Sequence, residues 1–331
     1  MSDARASLAP LGAEVDTAVD TAVDTAVDMA VDVAVGAGRP RPSGPSVTGA
    51  TALVVLAACC FGTISILTVV ATRDGMQLST VLAWRYLLAV PALALLSGGL
   101  RRLRAPARRV VGLLVLGGGG QALVTALTLS SLAYLSAATL AFLFYTYPAW
   151  VAIFAALGKR EPLTALRGVA LAFSLGGVGL MVGAPGALHP TGVLLALAGA
   201  VTYALYIPLL GRLQGTLAPA VASAWVCVGA GVICAAAVLA QGAAVTPPTP
   251  AAWLSVVVLA VVCTALAFIA FLRGLAVLGA VRTAIVATVE PFWTAVLGAL
   301  LLAQPLRPAV FAGGLCIAIS VWLLQWRPRA S

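Results

Sequence analysis

Charged residues are scarce in this chain of 331 residues, and apolar residues dominate it. Asp, Glu, Lys and Arg together make up 9% of the sequence, whereas 62% is apolar. A soluble domain of this length could not hydrate such a surface, so a soluble globular fold is excluded. The composition therefore predicts an all-α protein that crosses a membrane many times.

Residues with metal-binding and catalytic chemistry are also few. His189 is the only histidine, and neither an HExxH nor a CxxC spacing occurs, so no metal or other cofactor and no enzyme activity are expected. The run GGGGQ at 117–121 lacks the lysine of a P-loop, and its glycines favour close helix approach instead. The cysteines all fall in apolar segments, where they act as small apolar fillers: Cys59, Cys60, Cys227, Cys234, Cys263 and Cys316.

Ten apolar segments of 19 to 23 residues follow one another after residue 49. Each is long enough to cross a hydrocarbon core of about 30 Å, at about 1.5 Å per residue. Only the four residues 132–135 separate the third segment from the fourth. The predicted spans are 50–71, 78–98, 110–131, 136–157, 164–183, 191–211, 218–240, 252–272, 282–303 and 308–326.

The basic residues lie almost entirely on one side of these spans. With the N-terminus inside, 16 of the 19 fall on cytoplasmic segments and span ends, whereas the opposite face holds only Arg73 and Arg307. This is the positive-inside bias, and it predicts that both termini are cytoplasmic. The net charge of +9 therefore indicates topology, and nucleic-acid binding is not expected.

A motif occurs twice, about 143 residues apart. LAYL at 132–135 precedes Tyr147-Pro148, and LAVL at 275–278 precedes Glu290-Pro291 with identical spacing; Ala83-Trp84 is echoed by Ala224-Trp225. Five spans per unit is an odd number, so the two copies must run in opposite directions through the membrane. The sequence thus predicts ten transmembrane helices as two inverted five-helix repeats, 48–184 and 190–326, with a shared cavity near the bilayer midplane.

The two ends of the chain are expected to be cytoplasmic tails, 1–47 and 327–331. In the first tail VDTA and related quartets place an Asp at every fourth position from 16 to 32. On a helix these like charges would repel one another, so a disordered low-complexity segment is predicted. An acidic interaction tail is the open alternative, and a signal peptide is not expected.

Glu290 is the only carboxylate well within a predicted span. A carboxylate is costly inside a bilayer, so an intramembrane one is by default a functional-site hypothesis. Its neighbour Pro291 removes a backbone hydrogen bond and frees a carbonyl one turn earlier. A role in transport is predicted, and a protonated carboxyl that only joins neighbouring helices is the alternative.

The duplication places Tyr147, directly before Pro148, at the position that corresponds to Glu290. Tyr147 is therefore expected to face the same cavity from the other half, within an aromatic surround that includes Tyr145 and Phe292. The candidate substrate-pathway residues are Glu290, Tyr147, Pro148, Pro291, Arg85, Trp150, Trp293 and Gln121.

Arg85 is the only basic residue well within a span. It lies about 10 Å below the outer end of the second span and Glu290 about 20 Å below the outer end of the ninth, which argues against a direct contact. Arg85 is expected to extend outward, with Trp84 and Tyr86 as interfacial neighbours. The alternative is that Arg85 faces the pathway and attracts an anionic or carboxylate-bearing substrate.

The run from Ser131 to Met181, with Arg85-Tyr86 before it and VEPFWTAVLGALLLAQP after it, resembles the EamA family of the drug/metabolite transporter superfamily. The resemblance covers about residues 50–326. It implies ten helices and export or exchange of amino acids and other small metabolites across a bacterial plasma membrane, commonly without ATP. Gln304 stands where the family usually has a Glu.

The predicted function is therefore secondary transport of a small organic metabolite by alternating access, driven by the proton gradient through Glu290 or by the solute gradient alone. A drug exporter and a nucleotide-sugar or lipid-precursor carrier are the alternatives within transport. A non-transporting membrane scaffold or sensor is the alternative from another class. The expected partners are a small-molecule substrate and the lipid bilayer, and a homodimer stays open.

Overall fold

A computed structural model describes residues 46–73, 75–131, 133–135, 137–158, 164–182, 189–246, 249–302 and 307–325. Within these ranges the regular structure is entirely helical. The Asp-rich part of the first tail, Gln304 and the tail 327–331 lie outside the described residues.

The first half of the chain begins with a long helix and ends with the fifth apolar segment. A π-helical segment, Leu116–Gly120, joins α3 to α4, and a 3-10 turn, Leu100–Leu103, precedes α3. The helices are α1 Val47–Arg73, α2 Leu78–Leu96, α3 Ala107–Val115, α4 Gln121–Ser131, α5 Ala137–Phe144, α6 Tyr147–Leu157 and α7 Ala165–Val182.

The second half repeats this order, again with a π-helical segment, Val261–Leu266, inside the third apolar segment of the repeat. Several of its helices begin with a proline, whose missing N–H costs nothing in the first helical turn. The Thr249 hydroxyl also caps one start by accepting the Ala252 N–H at 3.0 Å. The helices are α8 Pro190–Gln214, α9 Pro219–Ala240, α10 Pro250–Ala260, α11 Ala267–Val286, α12 Val289–Leu302 and α13 Pro308–Gln325.

The helices differ in number from the ten predicted spans. In the described residues, nine are apolar and long enough to cross a membrane, counting Pro250–Val286 as one helix of 37 residues, and α12 is a shorter apolar helix. Two backbone features cause the difference. Gly279 leaves the helical region (φ 77°, ψ 171°) and kinks α11, and the predicted ninth span, 282–303, is interrupted between α11 and α12.

Helices of the two halves pack against each other in reciprocal pairs. α2 lies along α9, α7 lies along α13, α1 packs on α11 and α12, and α8 packs on α4 and α6. Two tryptophans fasten the α2–α9 pair at opposite ends: the Trp84 Nε1–H donates to the Val245 carbonyl at 2.6 Å, and the Trp225 Nε1–H donates to the Leu103 carbonyl at 2.9 Å. The sequence echo around these tryptophans therefore corresponds to a reciprocal contact.

Glycines allow the closest of these helix contacts, as the run at 117–120 predicted. A Cβ on Gly117 would overlap the carbonyl of Val226 on α9, and a Cβ on Gly229 would overlap the carbonyl of Leu114. The backbones of the first π segment and α9 thus touch directly, with no side chain between them. Small residues serve membrane helices in this way because lipid offers little hydrophobic force to drive helix association.

Candidate functional site

The two proline-marked helices are interrupted within one residue of equivalent positions. The break between α5 and α6, residues 145–146, ends two residues before Pro148, and the break between α11 and α12, residues 287–288, ends three residues before Pro291. Proline has no N–H to donate to the preceding turn, and it fits the first turn of the helix that follows. Both halves therefore contain a broken helix whose second part starts beside a proline.

Threonine hydroxyls satisfy carbonyls that these interruptions release. The Thr146 hydroxyl donates to the Leu143 carbonyl at 2.6 Å, and the Thr288 hydroxyl donates to the Ile285 carbonyl at 2.7 Å. Breaks at membrane depth are tolerated when side chains take up the freed backbone groups in this way.

Glu290 lies in the first turn of α12 and is half-buried. Its side chain is a hydrogen-bond partner of the Tyr145 hydroxyl, which comes from the break in the other half. The N-terminal end of a helix carries partial positive charge, so this position favours a carboxylate. Glu290 is also the only acidic residue in the described part of the chain.

Tyr147, its counterpart, is 2% exposed. The Tyr147 hydroxyl donates across the halves to the Ala284 carbonyl on α11 at 3.4 Å, and its ring lies within electrostatic range of Glu290. Tyr147 and Glu290 therefore lie in one interior region, and that they face a shared cavity stays a prediction. Pro148 is buried next to Tyr147.

A row of tyrosines extends from Glu290 into the protein. The ring centroids of Tyr145 and Tyr147 are 6.3 Å apart, those of Tyr147 and Tyr203 are 4.9 Å apart, and those of Tyr203 and Tyr206 are 5.9 Å apart. Tyr86 of α2 interacts with the last two. Five of the six tyrosines in the chain thus belong to one interior cluster, which we call the tyrosine row.

Sequence reasoning missed the contribution of α8 to this row. Tyr203 and Tyr206 are three positions apart, which places both on one face of a helix. A pair of phenols on one face of an apolar helix is a usable signal for a polar interior surface, because the hydroxyls need partners when they are buried.

The start of α12 is fastened to α1 beside Glu290. The Trp293 Nε1–H donates to the Thr63 hydroxyl at 3.0 Å, and the Thr294 hydroxyl donates to the Gly62 carbonyl at 3.1 Å. A Cβ on Gly62 would lie 2.8 Å from the Glu290 carbonyl oxygen, so the helices meet without space between them. Trp293 therefore anchors the carboxyl-bearing turn, while the predicted pathway residue Trp150 packs on Phe154 of its own helix, centroids 6.3 Å apart.

The expectation that Arg85 extends outward with interfacial neighbours is wrong. Arg85 is 8% exposed and Tyr86 is 2% exposed. The Arg85 Nε–H donates to the Thr264 hydroxyl at 2.8 Å, and the guanidinium carbon lies 4.8 Å from the centroid of the Tyr86 ring. The π-helical segment supplies Thr264 at this depth, whose hydroxyl in turn donates to the Leu259 carbonyl five residues earlier. Arg85 therefore bonds to a buried hydroxyl and does not extend to the aqueous interface.

A cavity of about 570 Å³ lies between α2, α4 and α9. Its walls are largely apolar, and the polar groups in them come from Gln77, Ser79, Tyr86, Gln121, Thr125 and Gln241. Gln121 is therefore a cavity residue, at the opposite end of the tyrosine row from Glu290. Within the described residues no cluster of His, Cys, Asp or Glu could hold a metal ion.

Two broken helices that meet at a carboxyl, joined by a tyrosine row to a half-open cavity, are features of duplicated membrane transporters. The model of the EamA-like transporter family matches residues 48–183 and, a second time, residues 190–326. The chain therefore belongs to the EamA-like transporter family, and it is a multi-pass membrane protein of the drug/metabolite transporter type.

Comparison with individual proteins adds support for the fold. A search of the curated proteins found no match. Among solved structures, one crystal structure, described only as that of a protein, superposes with a TM-score of 0.71 at 20% sequence identity. The alignment covers 85% of this chain and 97% of that chain. At this identity the likeness shows the fold alone.

Proposed function

We propose that this chain is a secondary transporter that moves small organic metabolites such as amino acids by alternating access, as an exporter or exchanger. The observation that carries the proposal is the position of Glu290, half-buried at the interruption of α11 and α12 and bonded to Tyr145 from the other half. A carboxyl in that position can respond both to a solute and to the relative movement of the halves. We therefore propose that Glu290 couples solute movement to proton movement.

The architecture proposed for this function is ten spans in two inverted five-helix repeats, 48–184 and 190–326. Residues 280–302 then form one broken ninth span, which corresponds to the broken fourth span at 137–157. The reciprocal tryptophan bonds between α2 and α9 support this pairing. We also propose a bacterial plasma membrane, as the family implies, with both termini in the cytoplasm, an orientation that the distribution of arginines supports.

We assign the relative movement of the two halves to the two broken helices. Discontinuous helices in transporters let one half rock against the other around a fixed midplane site. The parts of each broken helix meet at residues outside the regular helix, where turn hydrogen bonds such as that from the Glu290 N–H to the Ala287 carbonyl (3.0 Å) join them. We propose that the parts tilt at these residues. The Tyr145–Glu290 bond crosses from one break to the other, and it would separate or tighten as the halves rock.

Coupling follows from the acceptor chemistry of Glu290. The ionised carboxylate accepts a hydrogen bond from Tyr145, whereas a protonated carboxyl can itself donate one. A proton, or a cationic group of the solute, competes for the same oxygens. We propose that this competition links proton movement to solute movement across the membrane.

Counterflow in proteoliposomes tests transport itself. Full-length protein is reconstituted with an unlabelled amino acid inside, and entry of the labelled proteinogenic amino acids is measured one at a time. At least one amino acid should enter faster than in protein-free vesicles. Glu290→Gln should keep this exchange but lower net uptake driven by an imposed pH gradient at least tenfold, while Glu14→Gln, the same chemical change in the N-terminal tail, should leave both unchanged. If every amino acid enters at the protein-free rate, the proposal for this substrate class is wrong.

A further inference from the structure

Arg85 is a buried cation that uses few of its donors. A guanidinium has five N–H groups, and here one of them reaches Thr264. Within the described residues the remaining guanidinium nitrogens have no hydrogen-bond partner, and the contact with the Tyr86 ring satisfies none of them. Burying a charge is costly unless it is paired and hydrogen-bonded. Arg85 therefore has N–H donors left over that an anion could accept.

Glu290 does not supply this anion. It interacts with Arg85 electrostatically at a distance, but no ion pair joins the two side chains among the described residues. The tyrosine row also lies between them, with successive centroids 4.9 to 6.3 Å apart. The two charges are therefore separate sites.

Tyr206 presents a second unused donor near the guanidinium. It is 4% exposed, and in the described part of the chain its buried hydroxyl has no hydrogen-bond partner. Arg85 lies within electrostatic range of it. A phenol and a guanidinium together are good donors for an anionic oxygen, because hydrogen bonds to ionised groups are the strong ones.

The cavity lies beside the residues that surround these donors, although neither Arg85 nor Tyr206 is among its described lining residues. The Tyr206 ring packs against Gly120, which directly precedes the lining residue Gln121. Tyr86 and Cys234 line it, and both side chains interact with Arg85. A volume of about 570 Å³ falls within the usual range of small-molecule sites. The amide of Gln121 and the hydroxyl of Thr125 offer neutral polar contacts in the same wall.

The other half of the protein shows that the scaffold does not need this cation. The echo of Ala83-Trp84 by Ala224-Trp225 makes Val226 the counterpart of Arg85. Val226 is 1% exposed and packs directly on Gly117 of the first π segment. The same helix position is thus filled by an ordinary apolar residue in one repeat and by a charge in the other. A purely structural role would not require the arginine.

We propose that Arg85 and Tyr206 form an anion site that binds the carboxylate of the transported solute, so that the substrates are carboxylate-bearing metabolites. This inference rests on the transport function proposed above. A single guanidinium beside neutral phenols balances one negative charge, which fits a carboxylate better than a phosphate dianion. The site differs from Glu290 in both position and sign.

Thermal stabilisation of the purified full-length protein tests the site without any transport assay. Sodium benzoate is titrated into protein in a chloride-free buffer, and benzamide, its neutral isostere, is titrated in parallel. A ligand that binds the folded state raises Tm in proportion to its occupancy. Benzoate should raise Tm saturably, and benzamide should not. Sodium chloride in a third titration should neither give the same shift nor displace benzoate.

Two substitutions locate the binding. Tyr206→Phe removes only the hydroxyl and should raise the benzoate concentration at half-saturation about tenfold, the usual effect of losing a hydrogen bond to a charged group. Tyr134→Phe, an exposed tyrosine stacked on His189, is the matched control and should change nothing. Arg85→Gln should abolish the shift, and if this variant fails to fold, Tyr206→Phe decides the matter.

Three outcomes would overturn the proposal: stabilisation by benzamide equal to that by benzoate, displacement of benzoate by chloride, or an unchanged benzoate titration in Tyr206→Phe. Counterflow separates this failure from failure of the transport proposal. If amino acids and their carboxamides are exchanged equally well, transport stands and the anion site is wrong. If benzoate binds as predicted and no amino acid moves, the site stands and the transport proposal is wrong.

Discussion

The broken helices of the two halves share a backbone and differ in chemistry. Each is interrupted two or three residues before a proline, and each has a threonine in the interruption whose hydroxyl donates to the carbonyl three residues earlier. Yet the residue before the proline is Tyr147 in one half and Glu290 in the other. Duplication has thus kept the broken helix in both halves, while the carboxyl group stands in only one.

The contacts of α2 and α9 show the same division. The two tryptophans make equivalent bonds in opposite halves, whereas the next residue is Arg85 in α2 and Val226 in α9. The π segment of the first half meets α9 through glycine backbone, and the π segment of the second half meets α2 through the Arg85–Thr264 bond. The shared contacts form the scaffold, and the unmatched ones mark the candidate sites.

The largest effect is expected where the two halves touch through backbone. Gly117→Val places a side chain on the carbonyl of Val226 and should cost about 3 kcal/mol or more, enough to leave little folded protein. Gly119→Val, two residues away, points into open space and should be tolerated. The measurement is the yield of monodisperse protein after extraction in mild detergent. Equal yields of the two variants would mean that the close contact does not hold the halves together.

A smaller effect is expected at the breaks. Pro148→Ala and Pro291→Ala each restore an N–H that can bond to the carbonyl four residues earlier, which favours a continuous helix. If movement depends on both breaks, each substitution should slow solute exchange in proteoliposomes by about tenfold, the range expected when a hinge is stiffened. A tenfold loss in one variant together with full activity in the other would break the equivalence of the two halves.

The smallest effect is expected at the tryptophans. Trp84→Phe and Trp225→Phe each delete one indole donor and should each lower stability by about 1 kcal/mol, the net contribution of a typical hydrogen bond. Tm of the purified variants measures this. Clearly unequal shifts in Tm would indicate that the two tryptophan hydrogen bonds do not stabilise the protein equally.

Much of this organisation could be predicted from the sequence. Runs of apolar residues identify the spans, and identical spacing to two prolines identifies the duplication, because both signals are local. Glu290 is conspicuous because a carboxylate is so costly within a bilayer. The meeting of Glu290 and Tyr147 follows from the repeat alone.

What the sequence did not predict depends on contacts between distant segments. From its depth in the second span, Arg85 appeared close enough to the aqueous interface to extend into it. Its buried partner Thr264 lies 179 residues away in the sequence, so no local pattern reveals this contact. The interruption of the ninth span depends on how the helix continues past Gly279, which the apolar pattern does not show. Tyr203 and Tyr206 also look like ordinary residues of an apolar helix until Tyr147 is packed against them.

Net uptake under an imposed pH gradient tests most directly whether the coupling chemistry resides in the second half alone. Proteoliposomes containing wild type, Glu290→Gln or Tyr147→Phe are given a labelled amino acid that the wild type exchanges, with and without a pH gradient. Glu290→Gln should keep solute exchange and lose the acceleration caused by the gradient, because its amide cannot bind and release a proton. Tyr147→Phe, the same position in the other repeat, should keep the acceleration. Acceleration of Glu290→Gln to the same degree as the wild type would contradict the account and leave Glu290 a structural hydrogen-bonding residue.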